Sequence, residues 1–469
     1  MVFTNLIFLY LFLPANLILY FVTKNQTYRN VVLVAFSLFF YAWGEPIWIL
    51  LLLFSGTVDY LHGLIIEHFR GTKWMIFGVI SSLIINLGLL STFKYSGFFI
   101  SNINSLFGSN LPLPSFGLPL GISFYTFQSI SYVVDVYRGK VKAQRNYLTF
   151  MLYISLYHRL VAGPIVRYTD VAHELGREVP TFASMSAGIP RFCVGLVKKI
   201  LVANYAGNLV GQYLTGDLTT LSVAEGWFGI LMFSIQLYFD FSGYSDMALG
   251  LGQMFNCHYY ENFQYPYIAR SASEFWRRWH ISLGSFFRDY VYIPMGGNRK
   301  RLYLNLLVVW LLTGLWHGAS WNYVLWGLYY GVLIMLERLF LGKLLDKLPR
   351  LFSHLYLIFV TLVGWTLFYF EDFARLRQMF SVLFNWAAHP LWDAQLGFLI
   401  MNNIFWIVLS LAFCTPILPY IRHRLEDGAS LRRKTFITYA QSAACLVMLA
   451  LSTAMLVGES YNPFLYFKF

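Results

Sequence analysis

Residues 304–337 read LNLLVVWLLTGLWHGASWNYVLWGLYYGVLIMLE, 34 residues with no charge before the final glutamate. Arg299, Lys300 and Arg301 precede the stretch and Arg338 follows it. A continuous helix of that length would reach ~51 Å at 1.5 Å per residue. A hydrocarbon core of ~30 Å takes about 20 helical residues. The stretch is therefore too long for one upright crossing and barely enough for two. With basic residues at both ends, the chain is expected to enter and return on one side through a broken or re-entrant helix. Such backbone is tolerated at membrane depth only where protein or a water-filled cavity surrounds it. His317 lies inside the stretch, with Gly314 and Gly318 on either side.

The rest of the chain agrees with a bilayer. Of its 469 residues 58% are hydrophobic, 19% aromatic and only 12% charged, where a soluble domain carries roughly 25% charged residues. An ordinary soluble enzyme, a disordered chain and a disulfide-stapled secreted domain are excluded on these numbers. Cys193, Cys257, Cys414 and Cys445 show no paired spacing, so neither a metal site nor a disulfide framework follows from them. Apolar runs of spanning length fall at 2–22, 30–53, 75–93, 200–216, 228–250, 354–371, 398–419 and 437–457. The first lacks a preceding basic region and reads as a retained helix rather than a signal peptide. The net charge of +12 is accounted for by cytoplasmic loops rather than by nucleic acid. Basic clusters at Lys24/Arg29, 138–145, 270–301, 338–350 and 422–434 are placed in the cytosol. Segments 54–73, 217–226, 371–397 and the tail after 458, with both termini, are placed outside. This count requires 116–170 and 304–337 each to return to the side they entered from. The whole chain, 1–469, reads as one all-α, polytopic integral-membrane domain.

Between 275 and 290 the aromatic and aliphatic residues gather on one helical face and the arginines on the other. That pattern suits an amphipathic helix at the cytoplasmic interface. Glu274 and Arg278, four apart, are expected to pair along it, and His280 falls on the border between the two faces. Ionisable groups in membrane segments are costly and face interior pathways, which singles out His317 among ten histidines. A neutral core histidine bonded to a carbonyl is the structural alternative. Asp240 and Asp246 interrupt the run 228–250; an ion pair with nearby arginines or a helix cap is the expectation for them. Gly296 to Arg301 form a turn followed by three cations, able to hold a phosphate or to serve as a positive-inside anchor. No P-loop, nucleophile elbow, dinucleotide fingerprint or HExxH motif is present.

Five blocks carry a resemblance. They are 122–139 (ISFYTFQSISYVVDVYRG), 236–252 (QLYFDFSGYSDMALGLG), 261–283 (ENFQYPYIARSASEFWRRWHISL), 288–300 (RDYVYIPMGGNRK) and 314–321 (GLWHGASW). Together they resemble the membrane-bound O-acyltransferases, and among these the bacterial branch that O-acetylates exported polysaccharide such as alginate, peptidoglycan or cellulose. The likeness extends from Met1 to Asn462-Pro463-Phe464. It implies a ring of transmembrane and re-entrant helices around a central tunnel, in the bacterial cytoplasmic (inner) membrane. His317 matches the family's buried histidine and His280 its second. The resemblance further implies a cytosolic acyl thioester donor, acetyl-CoA, with no bound cofactor. The partner implied is an extracytoplasmic acetyltransferase or acyl-accepting protein that esterifies the polysaccharide. One departure stands out. Where that branch has Phe-Pro-(His or Gln)-Leu before Ile-Ala-Gly-Pro, this chain has Tyr157-His158-Arg159-Leu160 before Val161-Ala162-Gly163-Pro164. His158 is read as an interface residue.

The chemistry expected is acyl transfer with His317 as general base, since burial favours the neutral imidazole a base requires. Trp316, Asn322 or a freed backbone N–H would meet the oxyanion. His280 would position donor or thiol, and Arg299, Lys300 and Arg301 would attract its phosphates. Asp246 is a further substrate-binding candidate. A non-catalytic passage channel, export subunit or docking scaffold for an extracytoplasmic acetyltransferase remains the alternative.

Overall fold

The computed structural model describes residues 1–175, 181–428, 430–458 and 464–465. Asn462 and Pro463 of the closing motif lie outside the described residues. Among the described residues the chain is helical throughout, with no strand. Six helices among the described residues are long and apolar enough to cross a membrane: Ile49–His68, Lys73–Phe107, Trp321–Lys347, Arg350–Tyr369, Ala394–Phe413 and Leu431–Gly458. The backbone forms two compact units. One comprises Met1–Cys193, Tyr244–Tyr260 and the described residues from Leu456 onward; the other comprises Val194–Gly243 and Glu261–Met455.

In the first unit the run read as 30–53 is two helices, Gln26–Gly44 and Ile49–His68. The break falls at Glu45-Pro46, where proline supplies no N–H and pushes the preceding residue out of helical geometry; Glu45 has φ −135° and ψ 66°. The second helix corrects the placement of 54–73 as an external loop. Asp59, His62 and Glu67 give the segment a polar look, but Asp59 is fully buried. Its Oδ1 accepts hydrogen bonds from Ser82 Oγ at 2.8 Å and Asn86 Nδ2 at 2.7 Å. Donors from the neighbouring helix thus replace the water that the carboxyl loses. The added helix also removes the count of eight crossings on which the placement of the termini rested.

In the second unit the long uncharged stretch is a helical hairpin, Leu302–His317 and Trp321–Leu336, separated by Gly318-Ala319-Ser320. A break is present, as the length argument requires. The arms are antiparallel and touch at backbone distance. A Cβ added to Gly314 would meet the carbonyl of Tyr323, and one added to Gly327 would meet that of Trp310. Small residues let two membrane helices approach in this way. The segment expected as one amphipathic helix is instead two short ones, Ala272–Arg278 and Ile281–Phe287. His280 between them adopts φ 46°, ψ 53°, a left-handed conformation that no continuous helix admits. The expected Glu274–Arg278 pair is present, at 2.9 Å.

Gly327→Ala is expected to lower the thermal midpoint of the detergent-solubilised protein, since overpacking costs about 1–3 kcal/mol. Gly211→Ala in the helix Asn204–Leu214, where an added Cβ meets open space, is expected to leave that midpoint unchanged or raise it.

Candidate active site

His317 is the last residue of the hairpin's first arm and is 4% exposed. Aromatic rings surround it edge-on, among them Trp316 at 5.0 Å, Trp326 at 5.0 Å and Phe368 at 5.3 Å between centroids. Gly318 follows in an extended conformation, with the Tyr323 ring against its Cα, where any side chain would collide. Tyr323 is braced in turn, its hydroxyl donating to Glu371 Oε1 at 3.0 Å. The helix break, the glycine and the tyrosine together fix the imidazole at the end of an arm.

His280 is 1% exposed, and its ring stands 5.7 Å from that of Trp316 and 4.7 Å from Phe241. Trp316 is therefore shared between the two histidines. Asn262 determines the protonation of His280. The backbone N–H of Ser282 donates to Asn262 Oδ1 at 3.2 Å, as does its hydroxyl at 2.9 Å. That atom is consequently an acceptor, and His280 Nδ1 at 3.2 Å must carry the proton. Nε2 is left as the ring's basic nitrogen. Burial pushes this imidazole down to about 3, which keeps it neutral at any physiological pH. His280 lies outside the candidate spans.

The remaining candidates are distributed more widely. Asn322 is buried at the start of the second arm, and its Nδ2 donates to the carbonyls of Leu367 and Phe368 at 3.3 and 3.2 Å. Arg299, Lys300 and Arg301 are exposed at the opposite end of the first arm, roughly 23 Å of helix from His317. Asp246 lies in the first unit, where Arg191 donates to its Oδ1 through Nε and Nη2 at 3.1 and 2.8 Å. Asp240 lies in the second unit and pairs with Lys199 at 2.6 Å, both side chains nearly inaccessible. Both acids are thus ion-paired, though with cations of the segment 191–199 rather than with the later arginine cluster. His158 and Arg159 are fully buried rather than interfacial. The Tyr259 hydroxyl lies 3.0 Å from His158 Nδ1, and the Arg159 guanidinium sits over the Tyr153 ring. Asn262, Tyr323, Trp326 and Phe368 were not singled out by the sequence. Asn262 lies in the conspicuous block 261–283, yet only its fold shows the contact to His280.

The probable alginate O-acetylase AlgI of Pseudomonas putida is 36% identical over the whole of both chains. The chain belongs to the membrane-bound O-acyltransferase family. The sequence profile of that family, MBOAT, matches residues 143–345, the region that contains both histidines. The probable alginate O-acetylase AlgI of Pseudomonas aeruginosa is 35% identical, again over all of both chains. The peptidoglycan O-acetyltransferase of Helicobacter pylori is 29% identical over all of this chain and 98% of its own. This membrane-bound O-acyltransferase is accordingly a multi-pass membrane enzyme, and Trp316, His317 and His280 stand in one cluster of its second unit.

Two outcomes follow for the acyltransferase. Asn262→Ala is expected to cut acyl transfer by roughly 10²-fold, the usual penalty for a misplaced reactive group, while Asn262→Asp, which keeps an acceptor for Nδ1–H, retains more. Initial rates on purified protein test this. Lys199→Met should destabilise by about 3–5 kcal/mol because it strands a buried carboxylate, and adding Asp240→Leu should recover most of that loss; denaturation midpoints of the two variants measure it.

Proposed function

We propose that this protein is a membrane O-acetyltransferase of the bacterial cytoplasmic membrane. It takes an acetyl group from a cytosolic thioester, acetyl-CoA, and passes it to an extracytoplasmic acetyltransferase or other acyl-accepting partner. The end product is an O-acetylated cell-surface polysaccharide of the alginate or peptidoglycan kind, the polymers named by its relatives. The observation that carries this reading is His317 at the broken tip of the hairpin, walled by aromatic rings and joined to His280 through Trp316. The first arm starts at the basic turn assigned to the cytosol. With 16 residues it extends ~24 Å, short of a ~30 Å hydrocarbon core. An imidazole at its tip is then held within the bilayer's depth.

A thioester is already activated, so transfer needs no nucleotide hydrolysis. The acceptor hydroxyl oxygen attacks the thioester carbonyl as His317 removes its proton. The C–O bond forms, the tetrahedral oxyanion collapses, and the C–S bond breaks. The proton held by His317 is then available to the departing thiolate. We assign the oxyanion to the indole N–H of Trp316, the residue adjacent to His317, and the donor side to His280. General-base assistance of this kind contributes ~10²–10⁴ in rate.

His317→Ala, introduced into a cell that makes the acetylated polymer, is expected to lower ester content by 10²-fold or more. Membrane abundance, partner binding and polymer secretion should be retained. Unchanged ester would remove the catalytic assignment, and simultaneous loss of secretion would favour a passage channel or export scaffold.

A further inference from the structure

Outside the histidine cluster, the second unit contains a cavity of about 920 Å³ bounded by residues 264–278 and 337–353. Both segments belong to the basic clusters assigned to the cytosolic side. Ligand pockets are ordinarily apolar with few polar groups; this one is lined by Arg270, Arg277, Arg278, Arg338 and Arg350. The acids on its wall do not neutralise that set. Glu274 is taken by Arg278 at 2.9 Å. Glu337 is buried and faces into the fold. It accepts the N–H groups of Ala272 and Ser273 at 2.6 and 2.8 Å and the Tyr356 hydroxyl at 3.0 Å. Among the described residues no ion pair joins Arg270, Arg277, Arg338 or Arg350 to an acid, and all four are exposed. Arg277 Nε donates only to Ser273 O within its own helix, and Arg338 Nη1 to Asn298 Oδ1. Asp346 is the one lining carboxylate left against four guanidinium groups.

We infer that this cavity is a binding site for a phosphate-bearing polyanion, its guanidinium forks gripping phosphate oxygens. Planar forks pair with phosphate bidentately, and a concave site of this volume fits a small molecule rather than the surface of a protein. Its position links it to the chemistry. The helix Ala272–Arg278 lines the cavity through Ser273, Glu274, Arg277 and Arg278. Its Trp276 packs on Trp310, Trp326 and Tyr330, and Trp326 touches His317. The helix ends two residues before His280. On the donor reading proposed above, the polyanion is the nucleotide end of coenzyme A; the phosphate of an anionic lipid headgroup offers the same chemistry. The cavity, rather than the exposed run Arg299-Lys300-Arg301, then carries the phosphates. The turn holding that run meets the rim through Asn298.

The test is equilibrium binding to purified protein in nanodiscs, with coenzyme A and inorganic pyrophosphate as probes and discs made with or without phosphatidylglycerol. Arg270→Gln/Arg350→Gln is expected to weaken coenzyme A binding by roughly ten-fold for each charge-assisted contact removed, with pyrophosphate competing in the wild type. Arg270→Lys/Arg350→Lys should retain part of the affinity. Arg432→Gln, exposed on the helix Leu431–Gly458 and absent from the cavity lining, serves as the control and should bind as wild type. Loss of phosphatidylglycerol capture with unchanged coenzyme A binding would assign the site to lipid phosphate. Unchanged binding of all three probes by a double variant that elutes as a monodisperse species would overturn the inference. No turnover is measured, so failure of this site is read separately from failure of the catalytic reading.

Discussion

A helix that stops inside a membrane leaves its last carbonyls without partners, and lipid provides no donors for them. The break after His317 is therefore the constraint around which the second unit is arranged. The second arm returns at backbone distance from the first, so protein rather than lipid surrounds the interruption. Gly314 and Gly327 make that approach possible, and Tyr323 closes over Gly318. Trp326 and Phe368 then pack on the imidazole at the end of the arm, and Trp310, Tyr330 and Trp365 pack on Trp326. A histidine in this position is rigid for the same reason that the hairpin is stable.

His280 reaches the same cluster by a different device. A regular helix would carry it past the border of its two faces; a single left-handed residue turns the chain instead. The associated strain is offset by Asn262, whose carbonyl oxygen gathers three donors, from Ser282 N, Ser282 Oγ and His280 Nδ1. The same bonds that hold the turn select the tautomer. Fold and chemistry are coupled here through one amide.

These arrangements were unequally legible in the sequence. The hairpin was legible because its evidence is local: 34 residues with one charge, basic residues at each end and a histidine between glycines. The helix Ile49–His68 was hidden by Asp59, whose hydrogen-bond donors Ser82 and Asn86 stand 23 and 27 positions away. Periodicity found the apolar face of 275–290 but carries no information about one residue with positive φ. The need for partners at Asp240 and Asp246 was apparent from burial, whereas their identity as Lys199 and Arg191 depends on which helix lies alongside. Asn262 acts on a residue 18 positions further on and has no local signature. What a single segment specifies could be read; what two segments specify together could not.

The helix Ala272–Arg278 brings these levels together. Seven residues are too few for a stable isolated helix, so its position is imposed by its surroundings. Ser271 Oγ caps it by accepting from Glu274 N at 3.1 Å, and Glu337 binds its first two N–H groups from the far end of the hairpin's second arm. The hairpin that presents His317 at its tip thus also orients, at its base, the helix that separates the aromatic wall from the arginine cavity. A ligand drawing on Arg277 or Arg278 would pull on an element whose opposite face is Trp276, one contact from Trp326 and two from His317. The cavity and the packing around the imidazole thus share one short element, and the carboxylate of Glu337 holds it in register.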